Sequence, residues 1–497
     1  MKLLKKFLAG LILAAAGLVA IVLIRTATFK SSQMTGVRPV TIPVEAGAAA
    51  ERLSKGLVFP TVSNQEKKRD DPAAFLGYHH YLARIYPRVH AQLKLEKVGG
   101  LSLLYTWTGK DPSKAPVLIM GHQDVVPVVP GTEKDWEHAP FSGEIANGYV
   151  WGRGALDDKV MVQAILEAVE ALLAQNFQPA RTIYLAFGHD EETGGTDGMK
   201  AVVEKLKTKG VKDIACVLDE GLPIAPGLFP GIAAPTALIG IAEKGYLSLE
   251  LSVAGDGGHS SIPPRHSNIG VLAQAIRRLE DNPFPLRLTP VVKSQFDTLG
   301  PEMPFKSRLV LANLWLFRGL FIRTLALNPK TAAFLRTTTA VTMFNAGVKE
   351  NVLPPQATAV VNFRILPGDT VESVTHRVRE VVNDDRVKIR SISTSNDPSP
   401  ISDPHGKEFV LLDRTIREIW GETEIKVAPL LIIGGTDARH FSDLSRNIYR
   451  FTALQVESSA DMERWHGTNE RVLIREYAKS IGFFQLLIQR LENLPVI

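Results

Sequence analysis

The sequence predicts an α/β fold whose mostly parallel sheet is flanked by helices, with a smaller α/β domain inserted into it. Three observations point there. Short continuous apolar runs, such as Val117-Leu118-Ile119-Met120, Thr182 to Phe187 and Ile214 to Leu218, read as strands buried on both faces, and each ends in polar residues. Helical stretches separate these runs, the alternation expected of parallel strands joined by crossovers. From about residue 242 to 395 the pattern changes to alternating strands, which marks a second unit. At 497 residues, 45% hydrophobic and 22% charged, the chain can bury two or more cores.

Composition excludes several classes. Fifty-seven basic and 52 acidic residues leave a net charge of +5, and no basic run is interleaved with aromatics, so no nucleic-acid partner is expected. The single cysteine rules out an intramolecular disulfide framework or a Cys-rich zinc site; Cys216, inside an apolar run, reads as a small core residue.

Taken in order, Lys2, Lys5 and Lys6 precede Phe7 to Ile24, an uncharged stretch that Arg25 ends. Its eighteen residues exceed the core of a typical signal peptide, reach the short end of spanning length, and lead to no small-x-small cleavage site. An uncleaved signal-anchor is expected, with a polar linker from Thr26 to Thr35. The lysines place the N-terminus in the cytoplasm and the rest outside it, in a periplasm, a vacuole lumen or the extracellular space; cleavage would make the protein secreted.

Ala46 to Leu57 is helical, and Asp71-Pro72 opens a helix expected to run to about Val89. Leu101 to Thr108 is a strand. The Val117 strand ends in Gly121-His122-Gln123-Asp124, and the glycines of Trp151-Gly152-Arg153-Gly154 permit a tight loop that places Asp157 at the entrance of a helix from about Asp158 to Gln175. The strand from Thr182 leads to Glu191 and Glu192, that from Ile214 to Asp219 and Glu220, and a strand from Ile448 to Val456 precedes His466. In the second unit, Lys244 to Val253, Thr339 to Phe344 and Ala357 to Ile365 read as strands, Arg265 to Glu280 and Val371 to Val382 as helices. Leu309 to Leu327 is apolar but broken by Arg318 and Arg323. It reads first as a helix buried in the insert or at a dimer contact, and alternatively as an acyl-binding or membrane-resting surface.

Ligands of such sheets collect beyond the carboxyl ends of the strands, so chain order gathers the polar residues named above. One acidic doublet alone is most simply a solvated loop. Together, His122, Asp157, Glu192, Asp219 and His466 offer two imidazoles and three carboxylates, a set suited to zinc, cobalt or manganese. Five ligands are too many for one tetrahedral zinc and suit two ions sharing a bridging carboxylate, each with one histidine and one terminal acid, while Glu191, on an extended segment and facing away from Glu192, would take a proton from water.

The ordered motifs HQDVVP, WGRGALDDK, DEETGG, LDEG, GGHSSIPP, NVLPP and HGTNE resemble the di-zinc aminoacylase and carboxypeptidase S family of metallopeptidases. Carboxypeptidase S and the secreted N-fatty-acyl-amino-acid synthase/hydrolases are the nearest members, and the resemblance covers nearly everything after residue 45. It implies two zinc ions per subunit, one on His122, the other on Glu192 and His466, bridged by Asp157, with Asp219 chosen over Glu220 as the fifth ligand. It implies further that Asp124 orients His122, that Glu191 is general base and then acid, that His259 stabilises the oxyanion, and that Arg439 receives the substrate carboxylate. Asn351 and Arg364 are further substrate-contact candidates, although Arg364 reads equally as an exposed strand residue in a salt bridge. The implied division is a membrane anchor or signal segment at 1–30, a catalytic domain at 45–241 and 396–497, and a lid or dimerisation domain at 242–395, through which a homodimer could form.

The expected reaction is hydrolysis of an amide next to a free carboxylate, in a peptide C-terminus or an N-acyl amino acid, in either direction. Rival readings are a metal aminopeptidase and a catalytically silent, membrane-tethered binding module. No Gly-x-Ser-x-Gly elbow supports a serine hydrolase.

Overall fold

Strand alternation divides the apolar residues of the central sheet between two cores. In the strand Val117–His122, Val117 and Ile119 face one side while Leu118 and Met120 face the other, and all are buried. A computed structural model describes residues 2–67, 70–392 and 394–491. Its main sheet runs, edge to edge, Lys94–Val98, Ser102–Trp107, Ile183–Gly188, Val117–His122, Cys216–Asp219, Ile448–Arg450, Thr236–Glu243 and Lys426–Ile432. The four strands from Ile183–Gly188 to Ile448–Arg450 are mutually parallel, so their carboxyl ends share one rim. On one face pack Lys159–Ala174, Ala46–Leu57 and Ile474–Leu491; on the other, Met199–Thr208 and the turn Asp437–Phe441.

A second sheet, Thr338–Asn345, Gln356–Ile365, Gly245–Ala254 and Val387–Ser391, is antiparallel throughout. The helices Asn268–Asp281 and Val371–Val382 cover it and share its core. The stretch between these pieces does not belong to that core. Val291, Val292, Phe296, Leu299, Leu311 and Leu335 pack instead with the main sheet.

Several elements depart from expectation for identifiable reasons. The helix opened by Asp71, whose carboxylate accepts the Ala73 amide, ends at Ile85 rather than Val89, because Pro87 disfavours a helical Tyr86. The strand from Ile448 stops at Arg450. Beyond it the chain leaves the sheet to follow residues 219–224, where Phe451 N donates to the Asp219 carbonyl (2.9 Å) and Val456 N to that of Ile224 (2.9 Å). Leu309 to Leu327 is not one buried helix: Phe305–Ala312 and Leu314–Ala326 meet at 118° around Asn313, and no residue of the second is buried. The segment after the N-terminal helix is docked rather than a free linker, since Gln33 pairs with both backbone groups of Val427 (3.0 and 2.9 Å) on the edge strand. The helix itself, Lys2–Thr28, is long and apolar enough to cross a membrane.

Candidate active site at the carboxyl rim of the main sheet

His122 is the last residue of its strand and is buried. Its Nδ1 lies 2.9 Å from the Asp124 carbonyl, which can only accept, so Nδ1 carries hydrogen and Nε2 turns to the cluster. The Asp124 carboxylate stands farther off, Oδ1 at 3.4 Å from Nδ1, and has another duty: it accepts the amides of Glu191 (3.2 Å) and Glu192 (3.1 Å) and the Ser63 hydroxyl (2.6 Å). Asp124 thus fixes the acid doublet to the strand that carries His122.

Asp157 divides its carboxylate between two imidazoles. Oδ1 is 2.9 Å from His122 Nε2, and Oδ2 is 3.0 Å from His466 Nε2. Around each imidazole stands one further acid, Glu220 Oε1 at 3.4 Å from His122 and Glu192 Oε2 at 3.2 Å from His466. The ligand atoms of His122, Asp157 and Glu192 lie within 4.8 Å of one another, as do those of His122, Glu191 and Glu220.

The doublet does not lie on an extended segment. Glu191–Thr193 is a single 3-10 turn, closed by the Thr193 and Gly194 amides on the Asp190 and Glu191 carbonyls, yet its two carboxylates still join different groups. Gly195 makes this turn feasible. Its φ is +63°, and a Cβ there would lie 1.8 Å from the buried Asp437 carboxylate.

Asp219 is turned away from the cluster. Its two oxygens accept the amides of Glu220 (2.9 Å) and Ala438 (2.8 Å), pinning the turn Asp437–Phe441 to the strand end. Neighbouring residues at a strand end face opposite ways, and Glu220 takes the inward place expected of Asp219.

Glu470 received no role from the sequence. Buried, it accepts the amides of Gly154 (3.0 Å), Leu156 (2.7 Å) and Asp157 (3.0 Å) on Oε1, and the Arg153 guanidinium (2.8 Å) on Oε2. It therefore ties the loop of Asp157 to the loop of His466. The legible signal was a loop rich in glycine, and hence in unpaired amides, that needed an acceptor.

The electrostatics describe a cage for positive charge. Burial works against charging His122, but Glu220, Asp124 and Asp157 outweigh it and raise its pKa well above the usual value. Asp157 and Glu192 push His466 up to about 10. Burial raises Asp157, but the two imidazoles more than offset that and hold its carboxyl below the ordinary range. Burial first, and the crowd of acids second, raises Glu191 well above a normal carboxyl and Glu220 to about 8. Glu192 Oε1 is buried without a hydrogen-bond partner among the described residues. Nitrogen and oxygen donors gathered around His122 and again around His466, with an orphaned carboxylate oxygen among them, fit two divalent ions.

The substrate-contact candidates separate. Arg439 donates to the carbonyls of Thr436 (3.0 Å) and Gly194 (2.8 Å), beside the acid doublet. Arg364 stacks on Tyr246, 4.9 Å from the ring centroid, rather than lying exposed in a salt bridge. Burial lowers its pKa, and the nearby Arg439 lowers it further; burial, with Arg364 close by, brings Lys244 down to about 7. Three cationic side chains therefore share this neighbourhood. His259 and Asn351 lie elsewhere. Both are exposed at a two-stranded ribbon, His259 on it and Asn351 just before its second strand, where Ser260 N donates to the Asn351 carbonyl (3.2 Å), and their side-chain contacts are local, His259 Nδ1 with Ser261 Oγ (2.7 Å) and Asn351 Oδ1 with Lys349 (2.9 Å).

Comparison with known proteins finds a matching family, similar sequences and similar folds. The model of peptidase family M20/M25/M40 matches residues 118–490. The chain is 45% identical over 89% of its length to probable carboxypeptidase S-like 2 of Dictyostelium discoideum, covering 85% of that protein. It is 39% identical over 99% of its length to the N-fatty-acyl-amino acid synthase/hydrolase PM20D1 of Xenopus tropicalis (96% covered), and 32% identical over 89% to carboxypeptidase S of Saccharomyces cerevisiae (84% covered). Among solved structures, the metallo-carboxypeptidase Sso-CP2 of Sulfolobus solfataricus shares the fold with a TM-score of 0.66 at 21% identity, covering 91% of this chain and all of that one.

Proposed function

The chain belongs to peptidase family M20/M25/M40 and is a metal-dependent amidohydrolase of it, and from that premise we propose that it cleaves the amide of N-acyl amino acids or peptide C-termini, next to a free carboxylate, with two zinc ions. The observation that carries the proposal is Asp157, whose two oxygens serve two histidines, each with its own second acid. His122 and Glu220 would hold one ion and His466 and Glu192 the other, with Asp157 between them; cobalt or manganese could replace zinc. Such ions, when bound, polarise the amide carbonyl and make water nucleophilic near neutral pH.

This chain's residues do the rest. Glu191, whose raised pKa suits a group that holds a proton and gives it up, takes the proton of the attacking water and delivers it to the leaving nitrogen. Arg439 receives the substrate carboxylate, with the Arg364 guanidinium close enough to act on Arg439 electrostatically. Relatives named as N-fatty-acyl-amino acid synthase/hydrolases support an acyl substrate and a reversible reaction. The N-terminal helix is read as an uncleaved anchor because its last turns are bonded to the body of the protein: Asn313 Nδ2 reaches the Val22 carbonyl (3.1 Å) and Thr26 Oγ1 (3.2 Å). The catalytic body would then lie outside the cytoplasm. The second sheet, ending in the edge strand Thr338–Asn345 with Met343 and Phe344 exposed, supports pairing with a second copy.

The test compares N-acyl amino acids with their C-terminal amides. Amidation should remove most turnover; equal turnover would reject the carboxylate reading, and preference for a free amino terminus would favour an aminopeptidase. Glu191→Gln should keep two metal ions per chain and lose turnover by about 100- to 10,000-fold.

A further inference from the structure

The pair of helices Phe305–Ala312 and Leu314–Ala326 presents apolar surface that the fold does not cover. Leu314, Phe321 and Leu325 face the main core, with the Phe321 ring 4.9 Å from that of Phe296. On the opposite side of the same helix, Leu316, Leu320 and Leu327 form a stripe at helical spacing, with Leu320 62% and Leu327 85% exposed. Trp315 is 55% exposed at the bend, and Phe305 is exposed on the preceding helix. Between Glu302 and Glu350 the sequence has no acidic residue but contains Lys306, Arg308, Arg318, Arg323, Lys330, Arg336 and Lys349. Exposed leucine and tryptophan among cations is the composition of a helix that lies in a membrane interface.

A second observation says where that interface is. The uncharged run of the N-terminal helix ends at Ile24, and the next turn is bonded to this bend: Arg25 Nε donates to the Ala312 carbonyl (3.3 Å), and Asn313 holds Val22 and Thr26. Asn313 therefore stands at the level where the anchor leaves the bilayer, and Leu314–Ala326 starts there. At 13 residues, the second helix is about 20 Å long against a hydrocarbon core of about 30 Å, and Arg318 and Arg323 oppose deep insertion. The helix can lie in the headgroup region but cannot cross it.

We propose that Phe305–Leu327 is a membrane-resting platform: Trp315, Leu316, Leu320 and Leu327 sit in the interface of the bilayer that the N-terminal helix enters, and the flanking cations meet anionic headgroups. This rests on the anchor reading, not on the chemistry of the active site. The platform fixes the orientation of the catalytic body. It runs on to residues 333–336, whose carbonyls at Ala333 and Arg336 accept from Lys244 (2.9 Å each), on the strand-end side of the main sheet.

Because Cys216, the one cysteine, is buried, a nitroxide can be placed on full-length protein at Leu320→Cys, at Ile12→Cys in the anchor and at Glu380→Cys on the exposed helix of the second sheet. In vesicles of phosphatidylcholine and phosphatidylglycerol, the ratio of oxygen to nickel-chelate collision rates reads depth. The platform requires a ratio at 320 several-fold above that at 380, alongside a high ratio at 12. A high ratio at 12 with an aqueous ratio at 320 overturns the platform and leaves the anchor standing; aqueous ratios at both overturn both. Spin–spin broadening at 320, with neither reagent reaching it, would show a second copy covering this face and would also overturn the platform.

Discussion

The two halves of the candidate metal site are built differently. His122 is 1% exposed, ends a strand in the middle of the sheet, and is fixed by the Asp124 carbonyl. His466 is 57% exposed, sits on a loop with φ +58°, and has no strand beneath it. What holds the His466 loop in range is the pair Arg153 and Glu470: Arg153 Nη2 donates to the carbonyls of His466 (3.4 Å) and Gly467 (3.0 Å), and Glu470 grips the backbone of residues 154–157. One half of the site is thus a property of the sheet and the other a property of one buried ion pair, Arg153 with Glu470. Substitutions should expose this asymmetry.

The largest effect is expected where the halves meet. Asp157→Ala removes an oxygen from each ion, so metal content should drop below one per chain, and turnover should fall by about 10,000-fold, taking roughly 100-fold for each weakened ion. Metal analysis and kinetics on one preparation check this, and retention of two tightly bound ions would break the bridging assignment. Glu470→Ala should then separate the halves. It leaves three amides without their acceptor and takes the carboxylate from the buried Arg153, which keeps only the His466 and Gly467 carbonyls, costing about 3–5 kcal/mol in a denaturant titration. In the protein that still folds, the His466 ion should bind about 10- to 100-fold more weakly while the His122 ion stays. Equal loss of both ions would show that the tether serves the whole rim.

The next contrast lies within one dipeptide. Glu220→Gln should weaken the His122 ion by about 10- to 100-fold with little change in melting temperature. Asp219→Asn should keep both ions and lower stability by about 1–3 kcal/mol, because an amide nitrogen replaces one of two acceptors of buried N–H groups. The reverse pattern would restore Asp219 to the metal site.

This pair also marks where the sequence stopped being legible. The parallel strands and the polar residues at their ends could be read because buried apolar runs are short and continuous, and the rim follows from chain order. Asp219 and Glu220 could not be told apart, because facing at a strand end depends on whether the strand continues one residue further. Glu470 stayed hidden for another reason: its partners are backbone amides some 310 residues away, and backbone amides have no side-chain signature. His259 and Asn351 form a ribbon that motif matching could name but could not place relative to the rim. The apolar Leu309 to Leu327 was ambiguous because periodicity reports apolar faces without saying what covers them, and here two such faces lie back to back.

The smallest effect is one of pH, and it should sharpen the contrast between the metal-free and metal-loaded chains. Without metal, His466 is raised to about 10 from an ordinary value near 6.5, so the stability it contributes is complete below about 6.5 and is lost as pH rises through 10. Glu220, raised by burial to about 8 from an ordinary value near 4.5, keeps its proton while the unfolded chain has lost it, so stability also falls as pH climbs from about 4.5 and that loss is complete by about 8. Metal binding has the opposite sign, since each ion must displace protons from these groups and binds more tightly as they leave. The gap in melting temperature between zinc-loaded and metal-free protein should therefore widen from about pH 6 to about pH 9. Parallel melts across that range measure it. A gap that narrows would mean that the acids and imidazoles at the rim hold one another as ion pairs for stability, and that they are not arranged around a cation.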